Sequence, residues 1–426
     1  MCTEESFLYL FILARLIPFI FTKSLPVNSR FLWGVGSSAY QTEGAWDKNG
    51  KGLSIWDAFT HKKGKVFMNE TADSSCEGYY KVKDDIQLLK ELKVNHYLLS
   101  ISWPRIMPTG IKSMVGISLT SAWGEPVDLT SQKDIEAAER YVQFYLGWFA
   151  NPIYSGDYPE VMKNYVDKKS VQQGLGTSRL PTFSVQEKSY IKGTSDFLGL
   201  SHFTTRYIIQ KNYSALKGPS YHTDRDLAEL VDPKWPDPGS KWLYSVPWGF
   251  RRLLNFIKTQ YGNPLIYVTE NGVSEKLQCT QLCDEWRIEY LKGYINEMLK
   301  AINDGVNVKG YTVWSLLDKF EWNKGYSERF GLYHVDFKKG NKPRYPKASV
   351  HYYKMIISAN GFPNPREVKS WHQKAIETCS ITNQLLAADP LTTHMEMVTE
   401  IVVPTVFTLC ILISAILLMF LLRKRN

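Results

Sequence analysis

Strand-like segments alternate with helical patterns through most of this chain, and this alternation constrains its fold more than any other feature. Apolar residues recur three and four positions apart in Tyr79–Leu92 and Trp286–Ile302, which is typical of amphipathic helices. The alternation predicts an α/β protein with a parallel sheet, and polar residues at the strand ends favour a TIM (β/α)8-type barrel. The predicted strands, rich in β-branched and aromatic residues, are Phe31–Ser37, Val94–Trp103, Val115–Trp123, Phe197–Tyr207, Leu265–Thr269 and Val308–Leu316.

One junction is too short for such a barrel. The strand that ends near Trp103 is followed by Pro108-Thr-Gly110, and the next predicted strand begins at Val115. A crossover between parallel strands needs at least about 10–12 residues and usually contains a helix. Either these two strands are not parallel neighbours, or a piece of the fold is missing near residues 110–115. Closure of the barrel calls for eight strands, and this sequence predicts six.

Both ends of the chain carry apolar segments. Ile401–Leu422 is an uninterrupted apolar run that would span roughly 30 Å as a helix, the thickness of a bilayer core. The basic residues behind it favour a cytosolic C-terminus. The N-terminal apolar stretch is split by Arg15 and resembles a weak signal segment. The predicted regions are a signal-like segment (1–30), a barrel (31–366), a stalk (367–400), a transmembrane helix (401–422) and a cytosolic tail (423–426).

This topology predicts a single-pass type I membrane protein of the endoplasmic reticulum or the cell surface, with a lumenal or extracellular body. Two glycosylation sequons, at Asn69 and Asn212, agree with that side of the membrane. Cys279 and Cys283 could form a small loop disulfide or remain free thiols. A zinc site would need two further ligands, so no metal and no cofactor is expected.

The composition argues against nucleic acid and agrees with a sugar ligand. The net charge of +9 is not arranged as a basic stripe along the body. Aromatic residues reach 14%, with 13 Trp and 25 Tyr. The C–H face of a pyranose ring stacks well on an indole, although a large aromatic core would give the same composition.

Four long motifs follow one another along the chain: Phe31–Gly44, Ser100–Arg105, Tyr267–Gly272 and Trp314–Trp322. In sequence and in order they closely resemble the motifs of glycoside hydrolase family 1. The resemblance extends from about Phe31 to about Pro365 and implies a β-glycosidase barrel. Gly147–Ala150, Gly156–Pro159 and the C-terminal apolar run are most similar to the Klotho-related membrane branch of that family.

The resemblance implies the roles of five residues. A retaining β-glycosidase uses two carboxyl groups about 5–5.5 Å apart, one as nucleophile and one as general acid and base. Glu270 matches the family nucleophile. Gln41, Glu321 and Trp322 match the groups that form hydrogen bonds with the non-reducing sugar, and Trp314 matches the ring on which that sugar stacks.

The sequence also departs from the family pattern at the catalytic acid. The family places an Asn-Glu-Pro motif after its fourth strand and a His-Trp-Asp motif after its third, and neither occurs here. Together with the short junction, this predicts a deletion of strands three and four. Gly124-Glu-Pro126 is similar, but it follows the segment that resembles strand five, and Glu125 is not expected to be the acid.

The surroundings of the nucleophile position are altered as well. Leu98 replaces a family arginine, Phe203 replaces a tyrosine, and Asp318-Lys319 replaces a usual Asp-Asn pair. His202 is expected to be a core or rim histidine without a catalytic role. These changes predict a catalytically impaired chain, because general acid catalysis typically contributes about 10²–10⁴-fold.

Three functions stay open from the sequence. The chain could be an active β-glycosidase, a non-catalytic Klotho-like membrane protein that binds a glycan or a protein partner, or a shortened product retained in the endoplasmic reticulum. An intact acid motif would have favoured the first of these.

Overall fold

The structure is a computed structural model that describes residues 31–100, 102, 114, 116–214, 218–236, 239–276 and 282–371. The predicted signal-like segment and transmembrane helix lie outside these ranges. Within them, no helix is both long enough and apolar enough to cross a membrane.

Strands and helices alternate along the described chain. The strands are β1 (Leu32–Ser37), β2 (His96–Leu99), β3 (Gly116–Thr120), β4 (Trp123–Pro126), β5 (Phe197–Ser201), β6 (Thr205–Gln210), β7 (Leu227–Leu230), β8 (Ile266–Asn271), β9 (Glu275–Lys276), β10 (Val308–Trp314), β11 (Glu328–Arg329), β12 (Tyr333–Val335) and β13 (Arg344–Pro346). The α-helices are Ala39–Thr42, Ile55–Thr60, Val82–Leu92, Gln132–Val142, Trp148–Ser155, Glu160–Gln172, Val185–Ile191, Tyr221–Asp224, Trp248–Tyr261, Glu285–Asn303 and Ala348–Ala359. A π-helical segment, Gln143–Gly147, joins two of these helices.

Six parallel strands form the main sheet, in the order β2-β1-β10-β8-β5-β3. This confirms the predicted parallel sheet and its six strands. Neighbouring strands follow one another in this sheet as they do around a β/α barrel. Among the described residues, β2 is the edge strand on one side and β3 on the other. These two edge strands flank the junction that was too short for a crossover. The described part of the chain therefore forms a half-barrel.

Two predicted strands are each divided in the structure. The predicted Val115–Trp123 becomes β3 in the main sheet and β4 in a small sheet, and the predicted Phe197–Tyr207 becomes β5 and β6 in the same way. The β5–β8 ladder ends at His202. The His202 backbone N–H still donates to the Glu270 carbonyl of β8 at 2.9 Å, but the His202 carbonyl accepts from the side-chain amide of Asn271 at 2.7 Å. A side chain thus takes the place of the next backbone donor of β8.

Long-range contacts also set the start of the first predicted helix. The helix begins at Val82 rather than Tyr79. The backbone amides of Gly78 and Tyr79 donate to the carbonyls of Thr42 and Glu43, at 2.9 and 3.1 Å. These bonds hold the turn before the helix against the end of the short helix that follows β1. The second predicted helix is observed at Glu285–Asn303, one residue longer at each end.

The centre of the sheet is buried and its edges are not. β1 and β10 lie almost entirely in the core, with Val35 and Tyr311 inaccessible to solvent. All four residues of β2 are partly or fully exposed, and Leu99 is 55% exposed. β3 also contains no buried residue. Neighbouring strands and helices cover the centre on both faces, whereas each edge strand has a described partner on one side only.

Candidate active site

The predicted site residues meet at the carboxyl ends of three adjacent strands. Gln41 lies in the short helix after β1, Glu270 lies near the end of β8, and Trp314 ends β10. Glu321 and Trp322 follow β10 in the next loop. Because β1, β10 and β8 are parallel neighbours, their carboxyl ends form one rim, which is the position of active sites in β/α barrels.

Glu270 is held in a mostly buried position on that rim. Burial raises the pKa of its carboxyl group, and the nearby Glu321 carboxylate raises it further. The Lys319 ammonium and the Ser201 hydroxyl act in the opposite direction and lower the pKa of Glu270. Ser201 stands opposite Glu270 in the β5–β8 ladder. Burial is the largest of these effects, so the pKa of Glu270 lies above the ordinary value of a glutamate.

The end of β8 is positioned by a buried hydrogen-bond network. The Asn271 side chain donates to the His202 carbonyl and accepts from the Tyr311 hydroxyl at 2.5 Å. Gly272 follows, and a Cβ atom built there would lie 1.8 Å from the Trp314 carbonyl oxygen. Only glycine allows β8 and β10 to approach this closely, which explains the Glu-Asn-Gly sequence locally.

Glu321 is the second carboxylate of the site, and two side chains bind its carboxylate group. The Gln41 amide donates to Glu321 Oε2 at 3.3 Å, and Lys319 forms an ion pair with the same oxygen. The Gln41 amide nitrogen also donates to the Phe320 carbonyl at 2.9 Å. The buried Oε1 of Gln41 has no hydrogen-bond partner. A buried acceptor of this kind faces an energetic cost until a donor binds it. Gln41 and Glu321 thus form one polar cluster, and their predicted role in sugar binding stays a prediction.

Lys319 was expected only as a substitution near the predicted sugar site, and the structure places its ammonium between Glu321 and the Trp314 ring. Its side chain is 1% exposed. The ammonium nitrogen lies 4.7 Å from the centroid of the Trp314 ring and 5.5 Å from that of Phe330. The Asp-Lys pair showed that the sequence departs from the family pattern here, but the sequence did not indicate which side chains surround Lys319.

Trp322 belongs to an aromatic cluster beside this polar group. Its ring lies parallel to Tyr40 with centroids 6.2 Å apart, and 4.4 Å from the Trp56 ring. The three rings line a cavity of about 220 Å³ that also reaches Trp46 and Glu43. Trp46, Trp56 and Tyr40 were not singled out from the sequence, although Tyr40 lies within the first motif.

Glu125 lies in the small sheet rather than on the rim. β4 pairs with β6 there, and the Trp123 indole donates to Glu125 Oε2 at 2.7 Å. Arg252, from the helix Trp248–Tyr261, forms an ion pair with the other oxygen. Both carboxylate oxygens are thus held by neighbouring side chains, which agrees with a structural role for Glu125.

The substituted positions also have apolar or structural surroundings. Leu98 packs against the hydrophobic core and stands opposite Gly36 in the β1–β2 ladder. The Phe203 ring packs near Trp242 and Phe330. His202 is inaccessible to solvent and stacks on Phe250, and burial lowers its pKa to about 4, so it is a neutral core histidine.

No metal site was found in the part of the chain that the structure describes: none of its groups of His, Cys, Asp and Glu could hold an ion. Cys76 is a buried thiol that donates to the Asp318 carbonyl at 3.0 Å. Cys279 lies outside the described residues, so the predicted loop disulfide with Cys283 stays a prediction.

The half-barrel thus carries a carboxylate on β8 and a polar-aromatic cluster on the adjacent loops, all at the carboxyl ends of its central strands. The sequence model of glycosyl hydrolase family 1 matches residues 23–115 and 111–362. The chain therefore belongs to glycosyl hydrolase family 1. The family resemblance seen in the four motifs is confirmed.

Two curated relatives place the chain further within the family. It is similar to the lactase-like protein of Homo sapiens, with 55% identity over 527 residues that cover 93% of this chain and 93% of that protein. It is also similar to the lactase/phlorizin hydrolase of Homo sapiens, with 36% identity over 79% of this chain and 24% of that protein.

Solved structures of the family share the fold. An aphid myrosinase superposes with a TM-score of 0.72 at 28% identity, over 79% of this chain and 100% of that chain. A β-glucosidase from Trichoderma harzianum superposes with a TM-score of 0.72 at 28% identity, over 82% of this chain and 100% of that chain.

Proposed function

We propose that this chain is a membrane-anchored, glycoside-binding family 1 body in which hydrolysis is impaired. The relatives named β-glucosidase or lactase/phlorizin hydrolase support a β-glucoside or β-galactoside as the ligand class. Glu270, Gln41, Glu321, Trp314 and Trp322 lie on one rim, where such a ligand would bind.

The observation that carries the proposal is the opening of the main sheet between β2 and β3. In the family order this is the place of strands three and four, and the catalytic acid follows the fourth. Two further observations support a deletion there. The two family matches meet at residues 111–115. The alignment with the lactase-like protein is 527 residues long, which exceeds the 426 residues of this chain and implies gaps in it.

Two other carboxyl groups in the described part of the chain are held by neighbouring side chains, which argues against either as the acid. Glu321 is engaged by Lys319 and Gln41, and Glu125 is engaged by Arg252 and Trp123 on another sheet. Without a proton donor the leaving group must depart as an alkoxide. Loss of general acid catalysis typically lowers the rate by about 10²–10⁴-fold. Binding without efficient turnover follows from a rim that keeps its sugar-binding side.

Hydrolysis by the full-length chain in detergent tests this proposal. We expect turnover of lactose and cellobiose to be indistinguishable from that of Glu270→Gln. An activated nitrophenyl β-glucoside needs little protonation and gives Glu270 its best opportunity to act. Disaccharide turnover that disappears in Glu270→Gln and matches that of an intact family enzyme would refute the impairment.

We further propose a type I topology with residues 401–422 as the anchor and a lumenal body. The apolar run and the basic residues after it support this orientation. Asn69 and Asn212 are exposed on the body, as glycan acceptors must be. Expression in mammalian cells should give a carbonate-resistant membrane protein whose mass falls on endoglycosidase treatment, and Asn69→Gln with Asn212→Gln should abolish that change. A carbonate-soluble chain of unchanged mass would contradict this topology.

A further inference from the structure

One cation occupies the sugar-binding side of the site. Lys319 is almost fully buried, forms an ion pair with Glu321, and lies with its ammonium 4.7 Å from the Trp314 ring centroid. A cation at that distance from an indole is within the range of a favourable cation–π contact. Its side chain therefore contacts both a carboxylate and an aromatic ring of the rim.

The backbone on either side fixes this placement. The Asp318 amide donates to the Tyr333 carbonyl at 2.9 Å, and the Phe320 amide donates to the Gln41 carbonyl at 3.2 Å. The side chains of Asp318 and Phe320 are inaccessible to solvent. Lys319 lies between two anchored residues, so its side chain is directed at Trp314 and Glu321 by the loop itself.

These partners are the groups that the proposed function assigns to the sugar. A neutral sugar needs the Trp314 face for stacking and the Glu321 carboxylate as an acceptor for its hydroxyls. An ammonium group competes for both at once, and a charge-assisted ion pair is stronger than a bond to a neutral hydroxyl. Lys319 moreover lies near Glu270, whose pKa it lowers.

We propose that Lys319 competes with neutral hexopyranosides for the sugar-binding side and lowers their affinity for this chain. This inference rests on the proposed function, because it assumes that Trp314 and Glu321 form the sugar subsite. Replacement of Lys319 by a small neutral residue should free both groups and open the subsite.

Binding of a neutral, non-hydrolysable probe tests this assignment. The probe is phenyl 1-thio-β-glucopyranoside, titrated by tryptophan fluorescence and calorimetry against the full-length chain in detergent. Lys319→Asn should bind at least about tenfold more tightly than the wild type, the gain expected from a freed hydrogen bond to a charged group. Lys319→Met removes the charge but keeps much of the volume, and it should show a smaller gain.

Lys338→Asn is the matched control, because Lys338 is exposed on the turn between β12 and β13. It should bind as the wild type does. Circular dichroism compares the folding of all variants, and Lys319→Met carries the test if Lys319→Asn does not fold. Equal affinity of the wild type and the Lys319 variants would overturn this inference and leave the glycoside-binding proposal intact. No binding by any chain would overturn both.

Discussion

The middle of the half-barrel and its two edges differ in burial and in chemistry. β1 and β10 are almost entirely buried and β8 is half-buried, and the three strands carry Gln41, Trp314 and Glu270 at their carboxyl ends. β2 and β3 have partners on one side and contain no buried residue. The comparison teaches that the nucleophile side of a family 1 site is built on a contiguous set of strands. In the described part of the chain that set pairs continuously through β1, β10 and β8.

The largest expected difference between the two regions is in amide hydrogen exchange. Amides of β10 should exchange only through global unfolding, whereas those of β2 and β3 should exchange through local opening of the unpaired edges. Local and global opening energies differ by several kcal/mol, so rates should differ roughly a thousandfold. Exchange of the full-length chain followed by mass spectrometry measures this, and uniform protection across all six strands would show a closed barrel.

A pair of leucine truncations sharpens the comparison at single residues. Leu200 on β5 is inaccessible to solvent, and Leu99 at the end of β2 is 55% exposed. Leu200→Ala should lower the free energy of unfolding by about 2–5 kcal/mol, because it leaves a cavity in the core. Leu99→Ala should change it by less than about 0.5 kcal/mol. Equal losses in denaturant titrations would mean that the β2 edge is covered in solution.

Gly272 tests how closely β8 and β10 must approach. A Cβ atom there would lie 1.8 Å from the Trp314 carbonyl oxygen. Gly272→Ala should therefore force the strand ends apart and cost about 1–3 kcal/mol, the range for overpacking. Gly176→Ala is the control, because nothing lies within 4 Å of a Cβ atom at that position. An unchanged melting temperature of Gly272→Ala would show that β8 and β10 can move apart at this point without loss of stability.

The smallest effect concerns the charge of Glu270. Burial raises its pKa, so the folded chain binds this proton more tightly than the unfolded chain does. The stability linked to this group is complete at acid pH and is lost as the pH rises through the folded pKa. Glu270→Gln should thus increase the free energy of unfolding at pH 7 by less than about 1 kcal/mol and raise the melting temperature accordingly. Both increases should vanish below about pH 4.

The control for that pH profile is Glu139→Gln, since Glu139 is exposed on the helix Gln132–Val142. Its melting temperature should follow that of the wild type at every pH. A Glu270→Gln variant that is destabilised at pH 7 would mean that the ionised carboxylate holds Lys319 and the rim together.

Local patterns were sufficient to predict the main sheet. Alternating β-branched and aromatic segments predicted all six parallel strands, and the few residues after Gly110 predicted that the sheet would not continue there. These signals lie within short stretches of chain, so periodicity and connection length express them directly. The motif containing Glu270 likewise predicted its place at the end of a strand.

The tertiary structure alone decided where the strands divide and what the site contains. β5 stops at Ser201 because the His202 carbonyl accepts from the side chain of Asn271, which is distant in sequence, rather than from a backbone amide. Glu125 is held by Arg252, 127 positions along the chain, and Glu321 by Gln41, 280 positions away. Such contacts depend on how the strands are ordered in the sheet, which no local pattern records. The placement of the Lys319 ammonium over Trp314 was decided in the same way, by a loop anchored at both ends to distant strands.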